Sequence, residues 1–205
     1  MNELKKIVII GPESTGKSTL CKQLAQHYNT LWCPEFAREY LLKNGMDYSY
    51  DDLLHIAKGQ VALEEKYISS MVNGQWSMPI YGDSKDSSNT SADSPFTIHH
   101  SSLLFIDTDM YVLKVWCEFV FGKCPRFILD QIIERKYDMY LLCNTDLPWV
   151  KDELREYPGL ETREKLFGMY KDIMINQSTP WKIISGNEEM RLKTAIQTVD
   201  SLLNP

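Results

Sequence analysis

The eight residues Gly11-Pro12-Glu13-Ser14-Thr15-Gly16-Lys17-Ser18 constrain this chain more than any other feature in it. They match G-x-x-x-x-G-K-[ST] in full, a pattern that on the order of one chain in a hundred of this length would carry by chance. They also stand where the pattern has physical meaning. Lys5 to Ile10 is rich in β-branched residues and reads as a buried parallel strand, and Ser18 to Tyr28 has helical character. A strand turning sharply into a helix aims consecutive backbone N–H groups and the helix N-terminus at one point, and that point binds anions. Gly11 and Gly16 permit the tight turn, with Glu13, Ser14 and Thr15 between them. Lys17 reaches the β- and γ-phosphates of a nucleotide, and Ser18 supplies a hydroxyl to Mg²⁺. Thr19 adds a second phosphate contact from the start of the helix.

The rest of the chain alternates in the same manner. Strands are expected at Thr30 to Pro34, Leu103 to Ile106, Asp138 to Cys143 and Trp181 to Ser185. Helical periodicity covers Phe36 to Val72 with a break at Asn44-Gly45. It returns at Met110 to Phe121, Arg126 to Tyr137, Glu161 to Asn176 and Glu188 to Leu203. The expected fold is α/β, a P-loop NTPase fold with a parallel sheet of about five strands and helices on both faces. Its 205 residues suit one such domain. Residues 74–101 break the pattern. Their centre, Gly82 to Pro95, is dominated by Ser, Asp, Asn and Thr. Such a segment buries too little surface to offset its ordering entropy, so a mobile insertion is expected there. His99 and His100 close it as solvated loop residues rather than a metal pair.

A formal net charge of -6 argues against a nucleic-acid or anionic-membrane surface, both of which need basic patches. No run of about 18 apolar residues exists to span a bilayer. Cys21, Cys33, Cys117, Cys124 and Cys143 lack metal-ligand spacing and read as reduced thiols of a cytoplasmic protein.

Three further regions carry chemistry. Asp107 ends a buried strand, where a carboxylate holds the waters of Mg²⁺, while Asp109 is the better-placed cap for the next helix. Glu35 closes the second strand. Ligands of doubly wound sheets bind at the carboxyl ends of strands, so Glu35 can orient or deprotonate an acceptor hydroxyl, or pair with Arg38. Glu35 and Asp109 both stay open as general base. Residues 147–163 hold Lys151, Arg155 and Arg163 among interleaved acids, and a lid is expected there. Arg155 and Arg163 are its candidates for stabilising charge on a phosphoryl group in transfer.

Three blocks resemble a known family, the ribosylnicotinamide kinase domain of bacterial bifunctional NAD-biosynthesis proteins. They are residues 11–19, Phe105-Ile106-Asp107-Thr108-Asp109, and Asn144-Thr145 followed by Pro148-Trp149-Val150-x-Asp152-x-Leu154-Arg155. Glu35-x-x-Arg38-Glu39 is similar as well. The resemblance implies ATP-dependent phosphorylation of the ribose 5′-hydroxyl of nicotinamide riboside. The family cradles the nicotinamide ring with aromatic residues. Here Pro34 and Leu63 stand at two such places, with Trp32, Phe36, Tyr40, Tyr67 or Trp116 available to substitute. Another nucleoside or a vitamin-like alcohol is the alternative acceptor, and an ATPase switch without an acceptor is the alternative class. A GTPase would need Asp-x-x-Gly and Asn-Lys-x-Asp, where this chain has Asp107-Thr108-Asp109-Met110 and Asn144-Thr145-Asp146.

Overall fold

The computed structural model describes residues 3–73 and 102–204. The expected insertion at 74–101, with His99 and His100, lies outside the described residues. Five parallel strands, β1 (Lys5–Ile10), β2 (Leu31–Cys33), β3 (Leu103–Asp107), β4 (Met139–Cys143) and β5 (Trp181–Ile184), form one sheet in the order β2-β3-β1-β4-β5. Seven helices accompany them among the described residues: α1 (Lys17–His27), α2 (Phe36–Asn44), α3 (Tyr50–Val72), α4 (Met110–Phe121), α5 (Arg126–Glu134), α6 (Leu160–Asn176) and α7 (Glu188–Leu203).

The alternation within β1 explains the layering. Ile7 and Ile9 pack with Leu20, Cys21 and Leu24 of α1 and Ala195 and Val199 of α7. Val8 and Ile10 point the other way, onto Val112 and Val115 of α4 and Leu166, Tyr170 and Met174 of α6. A third cluster joins Ala37 and Leu41 of α2, Leu53 and Ile56 of α3, Leu113 of α4 and Ile128 of α5. Burial on both faces is why the strands read as continuous apolar runs.

Two details depart from expectation. The helix expected to run to Tyr137 stops at Glu134, because Arg135 leaves it to pair with buried Glu64 at 3.0 Å and with Glu65 at 2.9 Å. A buried carboxylate needs such a partner, and that demand outweighs one more turn of helix. Arg38, in turn, pairs with Asp152 at 3.2 Å rather than with Glu35. No described helix is long and apolar enough to cross a membrane. All five cysteines are free.

The topology positions the site. β1 lies between β3 and β4, with Ile9 level with Asp107 and Ile10 level with Leu142. β2 lies one place further out, beside β3. The loop after β1 therefore has the end of β3 beside it and the end of β2 beyond.

Candidate active site

Residues Gly11 to Thr19 line one end of a cleft whose other walls come from α2, α4, α6 and the connection after β4. Gly11 has φ 138°, and a Cβ there would lie 2.7 Å from the carbonyl oxygen of Cys143. Only glycine lets the loop leave β1 so close to β4. Thr15 and Lys17 both donate to the carbonyl of Pro12, at 2.7 and 2.8 Å, which draws the loop into a ring. Ser18 and Thr19 are exposed at the start of α1.

Arg191, on α7, completes the frame. It is 3% exposed, and donates to Thr15 O at 2.9 Å, Asn144 O at 2.9 Å, Gly186 O at 2.8 Å and the Asp146 carboxylate. Its role is not written in any local pattern, since an arginine in the first turn of a helix ordinarily faces water.

The end of β3 divides its three polar residues among three tasks. Asp107 is 1% exposed, and its Oδ1 has no partner among the described residues. Burial, with the negative charge of Glu35 next, pushes its carboxyl up to about 7. Lys17 and Ser18 oppose the shift. An orphaned buried carboxylate oxygen beside a serine hydroxyl fits a hydrated cation. No cluster of three or more His, Cys, Asp or Glu side chains gathers among the described residues. One carboxylate with a serine hydroxyl near it suits Mg²⁺, which keeps waters and takes phosphate oxygens. Thr108 holds a positive φ of 78° while fully buried, and donates to Glu35 Oε1 at 3.4 Å. Asp109 caps α4 through Tyr111 N–H and Val112 N–H and accepts from Tyr140 at 2.8 Å. Both of its oxygens are engaged in these bonds, and Asp109 does not line the cleft.

Glu35 stands at the N-terminus of α2, but its carboxylate makes no cap. It lines the cleft instead. The turn bearing it is braced from α3. Gln60 accepts from Phe36 N–H at 2.7 Å and donates to Pro34 O at 3.4 Å. Gly59 leaves space for the Phe36 ring, which a Cβ would approach to 2.1 Å. This brace went unseen in the sequence, where a Gly-Gln pair inside a helix has no distinctive signal.

The connection from Leu147 to Gly159 runs without helix or strand and carries Asp152, Leu154, Arg155, Glu156 and Tyr157 into the cleft wall. Arg155 donates to Val150 O and faces the cleft. Arg163 does not line it. It is 4% exposed on α6, donates to Leu147 O at 3.5 Å, and leaves its Nε without a partner among the described residues. Of the aromatic residues considered for a ring cradle, Trp116 lines the cleft, and Trp32, Phe36, Tyr40 and Tyr67 do not. Leu63 packs against the core. Phe119 and Tyr157 add an edge-to-face pair with centroids 5.4 Å apart, and Trp116 Nε1 donates to Tyr48 Oη at 2.9 Å.

A five-stranded parallel sheet, a phosphate-binding loop after its central strand and carboxylates at the ends of the next two strands define a P-loop kinase fold. The chain belongs to a family described as an AAA domain, whose model matches residues 6–78 and 89–191. It is similar to the Trifunctional NAD biosynthesis/regulator protein NadR of Escherichia coli (strain K12), at 27% identity over 172 residues, which is 83% of this chain and 36% of that protein. The chain thus spans about a third of that relative. A crystal structure of NadR protein in complex with NR superposes with a TM-score of 0.66 at 20% identity, covering 97% of this chain and 49% of that one. Thymidylate kinase from Ehrlichia chaffeensis gives 0.55 at 11% identity, covering 97% of this chain and 100% of that one. The resemblance drawn from the sequence blocks is borne out by these matches, as is the fold class.

Proposed function

We propose that this protein is an ATP- and Mg²⁺-dependent kinase that phosphorylates the 5′-hydroxyl of nicotinamide riboside. The observation that carries the reading is the placing of Glu35. A carboxylate whose hydrogen bond from Thr108 is long, at 3.4 Å, lines the cleft on the acceptor side of the phosphate loop, one strand beyond Asp107. The NadR relatives and the solved complex with NR support the choice of acceptor.

In this reading the loop amides and Lys17 hold the β- and γ-phosphates of ATP. Ser18 and Asp107 would hold Mg²⁺, which when bound would neutralise charge on those phosphates. Glu35 orients the acceptor hydroxyl in line with the bond that breaks. The acceptor oxygen bonds to the γ-phosphorus, the bond from that phosphorus to the β,γ-bridging oxygen breaks, and the hydroxyl proton passes to Glu35 or to water. The transition state is loose, so orientation counts for more than basicity. Arg155 supplies positive charge from the connection after β4, and Arg163, buried on α6 and bonded to Leu147 O, braces that connection from behind. The rings of Trp116, Phe119 and Tyr157 offer an aromatic wall for the base-like ring of the acceptor.

The test is ATP consumption by purified protein against a panel of nucleosides and vitamin alcohols, with a no-acceptor arm. Nicotinamide riboside is expected to give the highest kcat/KM. A faster nucleoside would keep the kinase class and replace the acceptor, and the departure of Leu63 and Pro34 from the aromatic pattern is the observation favouring that second reading. Equal turnover without any acceptor would point to an ATPase switch.

A further inference from the structure

We propose that Glu13 is a positioning residue whose carboxylate latches the 147–159 connection onto the phosphate loop and thereby sets acceptor affinity. The proposal rests on reading the cleft as an acceptor site. G-x-x-x-x-G-K-[ST] leaves position 13 free, and a carboxylate is the least suitable group beside bound phosphates, which it repels. Glu13 has other partners. Its Oε1 accepts from Tyr157 N–H at 2.6 Å and from Trp149 Nε1 at 3.4 Å, and its Oε2 accepts from Glu156 N–H at 2.9 Å. Ser14 beside it accepts from Val150 N–H at 3.0 Å. Four donors of one irregular connection thus end on two consecutive loop residues. Hydrogen bonds to a charged acceptor are about twice as strong as neutral ones, which suits a segment with no helix or strand of its own.

What the latch holds is the roof of the cleft. Leu154, Arg155, Glu156 and Tyr157 line it, and Asp152 of the same connection meets Arg38 of α2 at 3.2 Å on the far side. The connection is pinned on the phosphate side by Glu13 and on the acceptor side by Arg38. Releasing Glu13 leaves the loop amides and Lys17 in place for ATP but frees the wall against which an acceptor packs.

The experiment compares Glu13→Ala and Glu13→Gln with wild type in two arms. Hydrogen exchange at the Glu156 and Tyr157 amides needs no substrate. It is expected to speed at least tenfold in Glu13→Ala and by less in Glu13→Gln, whose single acceptor oxygen keeps half of the latch. Steady-state kinetics with ATP and nicotinamide riboside is expected to show an acceptor KM raised at least tenfold and an ATP KM moved less than threefold, with Glu13→Gln between. Unchanged exchange at both amides overturns the latch, as does an equal rise of the two KM values. If wild type phosphorylates no nucleoside, the acceptor reading falls, and the exchange arm alone still decides the latch. Should Glu13→Ala not fold, the same exchange comparison is made on Glu13→Gln.

Discussion

Arg191 reaches the carbonyl oxygen of Thr15 at 2.9 Å across 176 positions of sequence, so the last helix holds the first loop. The same guanidinium bonds Asp146 and Asn144 after β4, tying three loops together at one buried charge. Replacing it by methionine leaves the Thr15 and Asn144 carbonyls and Asp146 short of a donor. Breaking a buried pair costs about 3–5 kcal/mol. Asp146 is a third exposed, so the lower end of that range is expected for Arg191→Met. Urea unfolding at neutral pH measures it, and a loss near zero would show that water replaces the guanidinium.

Glu35 and Asp107 are expected to separate by variant. Asp107→Asn weakens Mg²⁺-dependent turnover with any acceptor, because the buried orphan oxygen beside Ser18 is lost as an anion. Glu35→Gln impairs transfer while Mg·ATP affinity stays near wild type, since Glu35 touches Thr108 and the cleft rather than the phosphate loop. Calorimetric titration of Mg·ATP into both variants decides it. Loss of affinity in Glu35→Gln with retention in Asp107→Asn would reverse the roles.

Arg163 is 4% exposed on α6 and donates to Leu147 O. Its Nε is buried without a partner among the described residues. Burying a polar group without a partner costs free energy that a methionine at the same place does not. Arg163→Met is therefore expected to keep or raise the melting temperature of the free protein while lowering kcat at least tenfold. Arg155→Ala, at a half-buried position, is expected to lower kcat with little change in melting temperature. Thermal melts and single-acceptor turnover together check both. A destabilised Arg163→Met with full kcat would make this arginine structural.

The start of α3 predicts an acid limb in the stability curve. Asp52 accepts from the Ser49 hydroxyl, then from Tyr40 and the Ser49 amide, and these bonds hold its carboxyl down at about 2. An unfolded Asp titrates near 3.9. A depressed folded value gives stability that is present above about pH 4 and lost as pH falls toward 2. The stability difference between wild type and Asp52→Asn is expected to shrink across that window. Urea midpoints at a series of pH values test it, and a constant difference would show that the cap does not depend on charge.

Much of this protein was determined by sequence alone. The P-loop, the alternation of apolar runs and the placing of Asp107 and Glu35 at strand ends are local facts, because strands buried on both faces must be apolar throughout and a phosphate nest needs glycines at set spacing. The helix breaks at Asn44-Gly45 and the cap at Asp109 were legible for the same reason. Tertiary structure alone decided the rest. Glu13 looked like one more loop residue until the 147–159 connection brought its amides to it. Arg38 turned to Asp152, Arg135 left its helix for Glu64, and Arg191 found Thr15. Each is a long side chain whose charge must be matched where it comes to rest. Which partner it meets depends on how the layers pack, and spacing along the chain carries no record of that.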